Sequence, residues 1–225
     1  MKRPTAEEGG NRRGAEAASR VAIILRVAAR LFLRRGYAHT SLNDIVALAG
    51  GSKATLRKYF RDKAGLFSAV IAEVSSTFVA NAHLKDIDGP PERVLRAFGE
   101  IVLGFYLAEE SLTAYRGVVA EGEGNPAMAR SFYEQGHRLV QAALAERLAA
   151  WQGDGLVASE DAQDDADLFL HLIRAGIYEQ TLIGLRKPPG RREISARVSG
   201  AVRLFLHGVG NKENPCRIPA TRVRV

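Results

Sequence analysis

The chain has 225 residues, 46 % of them hydrophobic and 25 % charged, a composition typical of a globular protein large enough to bury a core. Its longest uninterrupted apolar stretch, residues 101–108, is much shorter than the roughly 20 residues that span a bilayer. The N-terminal region lacks the apolar segment of a secretory signal, and a single cysteine allows no disulfide framework. We therefore expect a cytoplasmic protein without a membrane segment.

The basic charge of the chain lies at one end. The formal net charge is +7, but residues 1–65 hold 14 Lys and Arg against 5 Asp and Glu, whereas the remaining residues hold 18 against 20. This asymmetry predicts a polyanionic partner for the N-terminal part only, either nucleic acid or an anionic membrane surface. We expect residues 1–18 to form a flexible basic arm. Its Arg12 and Arg13, with Arg20 just beyond, either stay in solvent or reach a minor groove.

Helix signals follow one another along the chain. Apolar residues recur with a helical period, glycines and prolines separate the segments, and no segment shows sustained strand alternation. The predicted helices cover about residues 21–35, 42–48, 53–60, 62–78, 91–105, 111–121, 126–151, 166–185 and 194–209. The predicted fold class is therefore all-α with about nine helices, and residues 211–225 are expected to form a disordered tail.

Two of the short helices have the form of a helix-turn-helix. Gly50 ends the first, and Ser52 is placed to cap the second by accepting hydrogen bonds from its free N–H groups. In such a motif the first helix supports the second, whose N-terminal residues enter the major groove of DNA. Leu56 and Phe60 are four residues apart and should face inward. The remaining side chains of the second helix are available to contact DNA; they are Lys53, Thr55, Arg57, Lys58 and Tyr59.

Residues 28–70 resemble the DNA-binding region of the TetR/AcrR family of transcriptional regulators; they read AARLFLRRGYAHTSLNDIVALAGGSKATLRKYFRDKAGLFSAV. The matching positions are Ala29, Phe32, Gly36, Tyr37, Thr40, Ser41, Ile45, Ala49, Gly50, Ser52, Lys53, Thr55, Leu56, Tyr59, Phe60, Lys63 and Leu66. A weaker likeness links residues 115–136 to the C-terminal domain of AefR-like members. The order of the predicted helices extends the resemblance over nearly the whole chain.

The resemblance implies a nine-helix TetR-like architecture. A DNA-binding domain over residues 19–65, with its helix-turn-helix at residues 41–60, would precede a ligand-binding and dimerisation domain over residues 66–210. The implied function is that of a transcriptional regulator, most often a repressor, that binds a palindromic double-stranded operator as a homodimer. A small organic effector would release it, with no resident cofactor. The predicted DNA-binding residues are Thr40, Ser41, Ser52, Lys53, Thr55, Arg57, Lys58, Tyr59 and Lys63, of which Thr40, Ser41 and Lys63 are implied to touch phosphates.

Three positions depart from the family pattern. Val46 stands where Ala is usual, Gly51 where Val is usual, and Arg57 where Tyr is usual. Loss of the valine side chain at position 51 should loosen the turn. Arg57 can grip a phosphate or read guanine O6 and N7 with two hydrogen bonds, and the sequence leaves both roles open.

Two further sets of residues are predicted from the family plan. The candidate effector-binding residues are Phe98, Phe105, Tyr106, Arg116, Glu121, Tyr133, His137, Arg174 and Tyr178. Arg116 and Glu121 are expected to form a buried ion pair or to contact the effector, and the aromatic residues either line a pocket or belong to the core. The candidate dimer residues, with packing inside one chain as the alternative, are Leu168, Leu172, Leu182, Val198, Val202 and Phe205.

No residue pattern indicates catalysis. The chain contains no nucleophile elbow, P-loop or dinucleotide fingerprint. Metal-ligand spacing is absent from its five histidines, which are His39, His83, His137, His171 and His207. We therefore expect neither an enzyme nor a metal site. The alternatives that stay open are a sequence-non-specific DNA-binding or chromosome-organising protein, a small helical enzyme with a basic surface, and a peripheral membrane protein.

Overall fold

The computed structural model describes residues 6–82, 87–158 and 160–209, and within these ranges the secondary structure is helical throughout, without a strand. The helices are α1 (Ala6–Arg35), α2 (Leu42–Ala49), α3 (Lys53–Phe60), α4 (Lys63–Asn81), α5 (Pro91–Tyr106), α6 (Glu109–Glu121), α7 (Pro126–Phe132), α8 (Arg138–Gly153), α9 (Ala162–Arg174), α10 (Ile177–Leu182) and α11 (Arg191–Val209). A five-residue π-helical segment, Tyr133–His137, joins α7 to α8 without a break. The all-α prediction is confirmed, and the described ranges hold ten continuous helices rather than nine.

The additional helix arises from a break that the sequence prediction missed. The helix predicted over residues 166–185 is divided at Gly176, whose φ of 78° lies in the left-handed region that favours glycine. The helix on its N-terminal side also starts earlier than predicted, because Asp161 caps it. The Asp161 carboxylate accepts hydrogen bonds from the N–H groups of Gln163, at 2.8 Å, and Asp164, at 3.1 Å.

The N-terminal helix is longer than the sequence suggested. α1 starts at Ala6, so residues 6–18 are helical where a flexible arm was expected. Residues 1–5, the side chains of Arg12 and Arg13, and the expected tail at residues 211–225 lie outside the part of the chain that is described. Arg20 lies on α1 and its Nη1 donates a hydrogen bond of 3.3 Å to the carbonyl oxygen of Ala49, at the end of α2.

Two compact units make up the chain, and they do not follow the predicted domain boundary. Unit 1 comprises residues 1–78 and 109–138, and unit 2 comprises residues 79–108 and 139–225. A single boundary near residue 65 would have assigned α6 and α7 to the second domain. Instead these helices pack with the N-terminal ones, and α6 lies against α1.

The core of unit 1 is built around three aromatic rings. The centroids of Phe32 and Phe67 are 5.4 Å apart, those of Tyr37 and Phe67 5.2 Å, and those of Phe32 and Tyr37 5.7 Å. Ile45 from α2 and Leu56 from α3 pack into the same cluster, at 0 % and 3 % exposure. The two short helices are therefore fixed to α1 and α4 by buried apolar side chains, whose burial stabilises each by about 1.5–3 kcal/mol.

α4 is the one helix within the described ranges that is long and apolar enough to cross a membrane by composition, with a mean hydropathy of 1.3 over its most apolar window. A core helix of a globular protein passes the same test. Leu66, Phe67, Val70 and Ile71 on α4 are buried in the cluster just described, which accounts for its apolar character.

Unit 2 is organised by the packing of α11 against α5 and α9. A Cβ atom at Gly99 on α5 would lie 2.7 Å from Cγ1 of Val198 on α11, so the close approach of these two helices requires glycine there. The rings of Phe169 and Phe205 meet edge to face, with centroids 5.1 Å apart. This core fixes α9 and α11, the helices on which the dimer contacts were predicted.

Candidate nucleic-acid interface

A capping box starts α2. The Ser41 hydroxyl accepts a hydrogen bond from the Asp44 N–H at 3.2 Å, and the Asp44 carboxylate accepts one from the Ser41 N–H at 2.8 Å. The Ser41 hydroxyl also lies 2.6 Å from the same carboxylate oxygen. These hydrogen bonds to the Ser41 hydroxyl and then to its backbone lower the pKa of Asp44. Local side chains thus define the first turn of α2.

The lowered pKa of Asp44 predicts an acid-sensitive start of α2. The ionised carboxylate stabilises the folded state above the ordinary Asp pKa of about 3.9, and this contribution disappears as the pH falls through the lower pKa of the folded state. We expect Asp44→Asn to reduce the thermal unfolding midpoint most at neutral pH. The difference from the unmodified protein should shrink as the pH falls below the ordinary Asp pKa. Calorimetric unfolding of both proteins from neutral pH down into the acid range measures this, and a pH-independent difference would contradict it.

The turn between α2 and α3 consists of Gly50, Gly51 and Ser52. Gly50 and Gly51 have φ angles of 74° and 93°, both in the region that favours glycine. Ser52 then caps α3, because its hydroxyl accepts a hydrogen bond from the Thr55 N–H at 3.2 Å. A Cβ at Gly51 would have space, with Thr55 Oγ1 at 3.8 Å, so the requirement for glycine comes from the backbone angle alone.

We expect the family's usual valine to be unfavourable at position 51. Gly51→Val should lower the free energy of unfolding by about 1–3 kcal/mol, because a β-branched residue is strained at that φ. Thermal unfolding should then shift down by several degrees. A suitable control is Gly104→Ala on α5, where a Cβ meets nothing within 4 Å and the backbone φ is ordinary. A Gly51→Val protein more stable than the unmodified one would contradict this backbone argument.

Three cationic side chains of α3 are exposed: Lys53, Arg57 and Lys58. None forms an ion pair with a carboxylate in the described part of the chain, so their charges are available to a polyanion. Leu56, 3 % exposed, and the half-buried Phe60 face inward as predicted. Thr55 and Tyr59 are half-buried, and Lys58 Nζ lies 5.7 Å from the centroid of the Tyr59 ring. The charged side chains of α3 therefore face solvent, and its apolar side chains Leu56 and Phe60 face the core.

Two of the residues predicted to contact phosphates, Thr40 and Lys63, are not exposed side chains. Thr40 is 1 % exposed and its hydroxyl donates to the Gly36 carbonyl oxygen at 2.9 Å, so this side chain fixes the turn after α1 and does not face solvent. Lys63 is half-buried, with Nζ 4.1 Å from the centroid of the Tyr37 ring. Burial lowers the pKa of Lys63, and the carboxylate of Glu121 opposes that shift. Ser41 and Ser52, in contrast, are exposed.

Tyr37, in the turn after α1, contacts the start of α7 within unit 1. Its hydroxyl oxygen accepts a hydrogen bond from Asn125 Nδ2 at 3.4 Å, and Asn125 in turn caps α7 by accepting from the Met128 N–H at 3.3 Å. Burial and the charge of Asp62 raise the pKa of Tyr37. The sequence prediction missed Asn125, whose partner is 88 residues away, and only its cap position before Pro126 gives a sequence signal.

The predicted effector-binding residues fall into both units. Unit 1 holds Arg116, Glu121, Tyr133 and His137, and unit 2 holds Phe98, Phe105, Tyr106, Arg174 and Tyr178. The predicted pair of Arg116 and Glu121 is wrong, because Arg116 forms an ion pair of 3.1 Å with Glu109. The negative charge of Glu121 instead favours the charged form of Lys63 and so raises its pKa against the effect of burial. Phe98, 2 % exposed, belongs to the core of unit 2.

Some of the remaining effector candidates do come together. Tyr133 and His137 are the first and last residues of the π-helical segment, with ring centroids 5.3 Å apart, and such segments are frequent at functional sites. In unit 2 the guanidinium of Arg174 lies over the rings of both Tyr106 and Tyr178. Phe105 is next to this group, its centroid 6.1 Å from that of Tyr106.

Half of the predicted dimer residues are core residues of a single chain. Val198, Val202 and Phe205 are 0 %, 0 % and 6 % exposed, so the alternative of packing inside one chain applies to them. Leu172 and Leu182 are half-buried. The large apolar residues that unit 2 exposes on α9, α11 and the segment after α10 are Leu168 at 62 %, Ile183 at 68 %, Leu185 at 75 % and Leu204 at 65 %. Of these, the sequence prediction included Leu168 alone.

The two short capped helices, the glycine turn and the outward cations together define a helix-turn-helix protein of the DNA-binding class. Residues 24–70 match the family model described as bacterial regulatory proteins, tetR family. Residues 93–208 match that of the AefR-like transcriptional repressor, C-terminal domain. The chain belongs to the TetR family of transcriptional regulators, and the predicted resemblance is confirmed.

Solved structures share this fold. A TetR-family regulator from Mesorhizobium loti is 23 % identical, with a TM-score of 0.75 over 84 % of this chain and 96 % of that one. The flavonoid-responsive regulator FrrA is 26 % identical, with a TM-score of 0.67 over 85 % of this chain and 97 % of that one. A regulator from Saccharomonospora viridis in complex with choline is 21 % identical, with a TM-score of 0.59 over 84 % and 96 %. No curated protein matches the chain.

Proposed function

We propose that the protein is a cytoplasmic transcriptional repressor that binds a palindromic operator as a homodimer and is released by a small organic effector. The observation that carries the proposal is that Lys53, Arg57 and Lys58 are exposed, and form no ion pair with a carboxylate among the described residues, on a helix whose inner face is fixed by Leu56. Such a helix can enter the major groove, with its charges against bases and phosphates. The protein needs no catalytic group for this role.

A homodimer follows from the geometry of DNA and from the surface of unit 2. Two recognition helices must stand about 34–36 Å apart to enter successive major grooves, which one chain with one helix-turn-helix cannot achieve. The exposed leucines Leu168 and Leu204 supply apolar area that association would remove from water. We therefore assign the dimer contact to the outer faces of α9 and α11.

Effector release needs a connection between the helices that sense the effector and the DNA-binding residues. Within unit 1 the contacts from Asn125 to Tyr37 and from Tyr37 to Lys63 connect the start of α7 to the start of α4. A shift of α7 would move Tyr37 and with it the ammonium of Lys63. The names of two structural relatives, a flavonoid-responsive regulator and a regulator in complex with choline, support a small organic effector.

A gel-shift experiment with the DNA that flanks the protein's own gene tests the proposal. We expect a discrete complex at moderate salt that unlabelled flanking DNA removes and scrambled DNA of the same length does not. Equal affinity for the scrambled DNA would favour the sequence-non-specific, chromosome-organising alternative. A reporter gene behind the same DNA then separates repression from activation by the sign of its change.

A further inference from the structure

The guanidinium of Arg174, at the end of α9, packs against two tyrosine rings of unit 2. Its central carbon is 5.3 Å from the ring centroid of Tyr106 and 5.6 Å from that of Tyr178. The two rings meet edge to face, 6.4 Å apart and at 65°. Both distances are within the range in which a cation interacts with the face of an aromatic ring. Arg174 is therefore packed against a pair of aromatic rings that contact each other.

Most of the hydrogen-bonding capacity of this arginine is unused. Its Nε donates to the carbonyl oxygen of Leu170, one turn back on α9, at 3.1 Å. A guanidinium has four further N–H donors on its terminal nitrogens. Among the residues that the structure describes, no acceptor and no carboxylate is paired with them. The acidic group two turns back, Asp167, has its carboxylate 3.4 Å from Nδ1 of His171.

A half-buried guanidinium whose terminal N–H groups lack acceptors is unfavourable, because burial removes part of its hydration and the contacts to Leu170 and the two rings replace only some of it. The two terminal nitrogens of an arginine form parallel hydrogen bonds to a carboxylate, which is the strongest pairing open to them. Aromatic side chains beside the cation favour a planar ring in the same ligand. Burial also raises the pKa of Tyr106 against the opposing charge of Arg174, so its hydroxyl stays protonated at neutral pH.

We propose that Arg174, Tyr106 and Tyr178 form a subsite for an aromatic carboxylate, with the carboxylate on the guanidinium and the ring against the tyrosines. The subsite deepens the proposed effector site and rests on that proposed function for its biological role. The binding step does not depend on DNA. It can therefore be tested on the free protein.

The test is calorimetric titration of the full-length protein with benzoate, 4-hydroxybenzoate, cinnamate and indole-3-acetate, each beside its neutral primary amide. We expect at least one carboxylate to bind about tenfold or more tightly than its amide, because the amide cannot form the charge-assisted pair. If carboxylate and amide bind equally, or if none of the four carboxylates binds at millimolar concentration, the proposal is wrong.

Variants then assign the effect to Arg174. Arg174→Gln should remove the preference for carboxylate over amide, and Arg174→Lys, which keeps the charge but loses the two-pronged donor, should retain only part of it. Arg192→Gln removes an equal charge from an exposed position on α11 and should leave the titration unchanged. Circular dichroism and the unfolding midpoint of each free variant report its folding. A preference that survives in a folded Arg174→Gln protein would overturn the assignment.

The outcome for DNA is read separately. If the protein binds its operator but no aromatic carboxylate, the proposed subsite is wrong and the proposed DNA-binding function is retained. If Arg174-dependent binding occurs but the complex with DNA persists at saturating ligand, the proposed subsite is confirmed. The proposal that aromatic carboxylates release the protein from DNA is then wrong.

Discussion

Alanine in place of Arg57 or Lys58 is expected to weaken binding to the operator by about ten- to a hundredfold each, since a lost base or phosphate contact costs about 1–3 kcal/mol. Both side chains are exposed on α3 and neither is paired with a described carboxylate, so their loss removes DNA contacts without disturbing the fold. Fluorescence anisotropy with labelled operator measures the change. Arg130→Ala is the matched control, because it removes the same charge from an exposed position of unit 1 outside the helix-turn-helix.

The same measurement over a range of salt concentrations separates the two roles of Arg57. If Arg57 holds a phosphate, Arg57→Ala should weaken binding to every sequence alike and reduce the slope of log affinity against log salt by about one. If Arg57 reads guanine, the variant should lose discrimination at one base pair of each half-site. Wild-type affinity in both variants, at low and at moderate salt, would show that α3 is not the recognition helix.

The helix-turn-helix could be predicted from the sequence because its determinants are local. Ser41 and Ser52 cap the helices that directly follow them, Gly50 ends the helix directly before it, and Leu56 and Phe60 are one turn apart. These signals act over at most four residues. The structure adds one feature that these signals do not show: the φ of Gly51 lies in the left-handed region that favours glycine.

The rest of the candidate site depends on contacts between residues distant in the chain, and sequence patterns do not encode them. Lys63 is predicted to contact a phosphate from its place in the family pattern, but the packing of its ammonium against Tyr37, 26 positions earlier, has no signal in the sequence. Arg116 and Glu121 have opposite charges, but their positions on α6 are five apart and so do not face each other, and Glu109 is the partner. An apolar stripe shows that a helix is buried on one side without showing against what. The sequence therefore leaves the inward stripe of α11 open between a partner subunit and the core of one chain.

Glutamate in place of Leu204 or Leu168 is expected to convert the proposed dimer into monomers and to abolish operator binding at concentrations that saturate the unmodified protein. Each leucine is more than 60 % exposed in the single chain, so a carboxylate there is harmless to folding. In a dimer contact it would be buried without a partner, at a cost of several kcal/mol. Light scattering after size-exclusion chromatography should give about half the mass of the unmodified protein.

Two control variants show whether a loss of the dimer is specific to Leu168 and Leu204. Val119→Glu changes an equally exposed apolar residue of α6, at 66 %, and should leave the dimer intact. Phe205→Ala should lower the free energy of unfolding by about 3–5 kcal/mol, because it removes a buried ring that packs against Phe169. The protein that remains folded should still be dimeric. If Phe205→Ala gave stable monomers while Leu204→Glu and Leu168→Glu stayed dimeric, the inward stripe of α11 would be the interface after all.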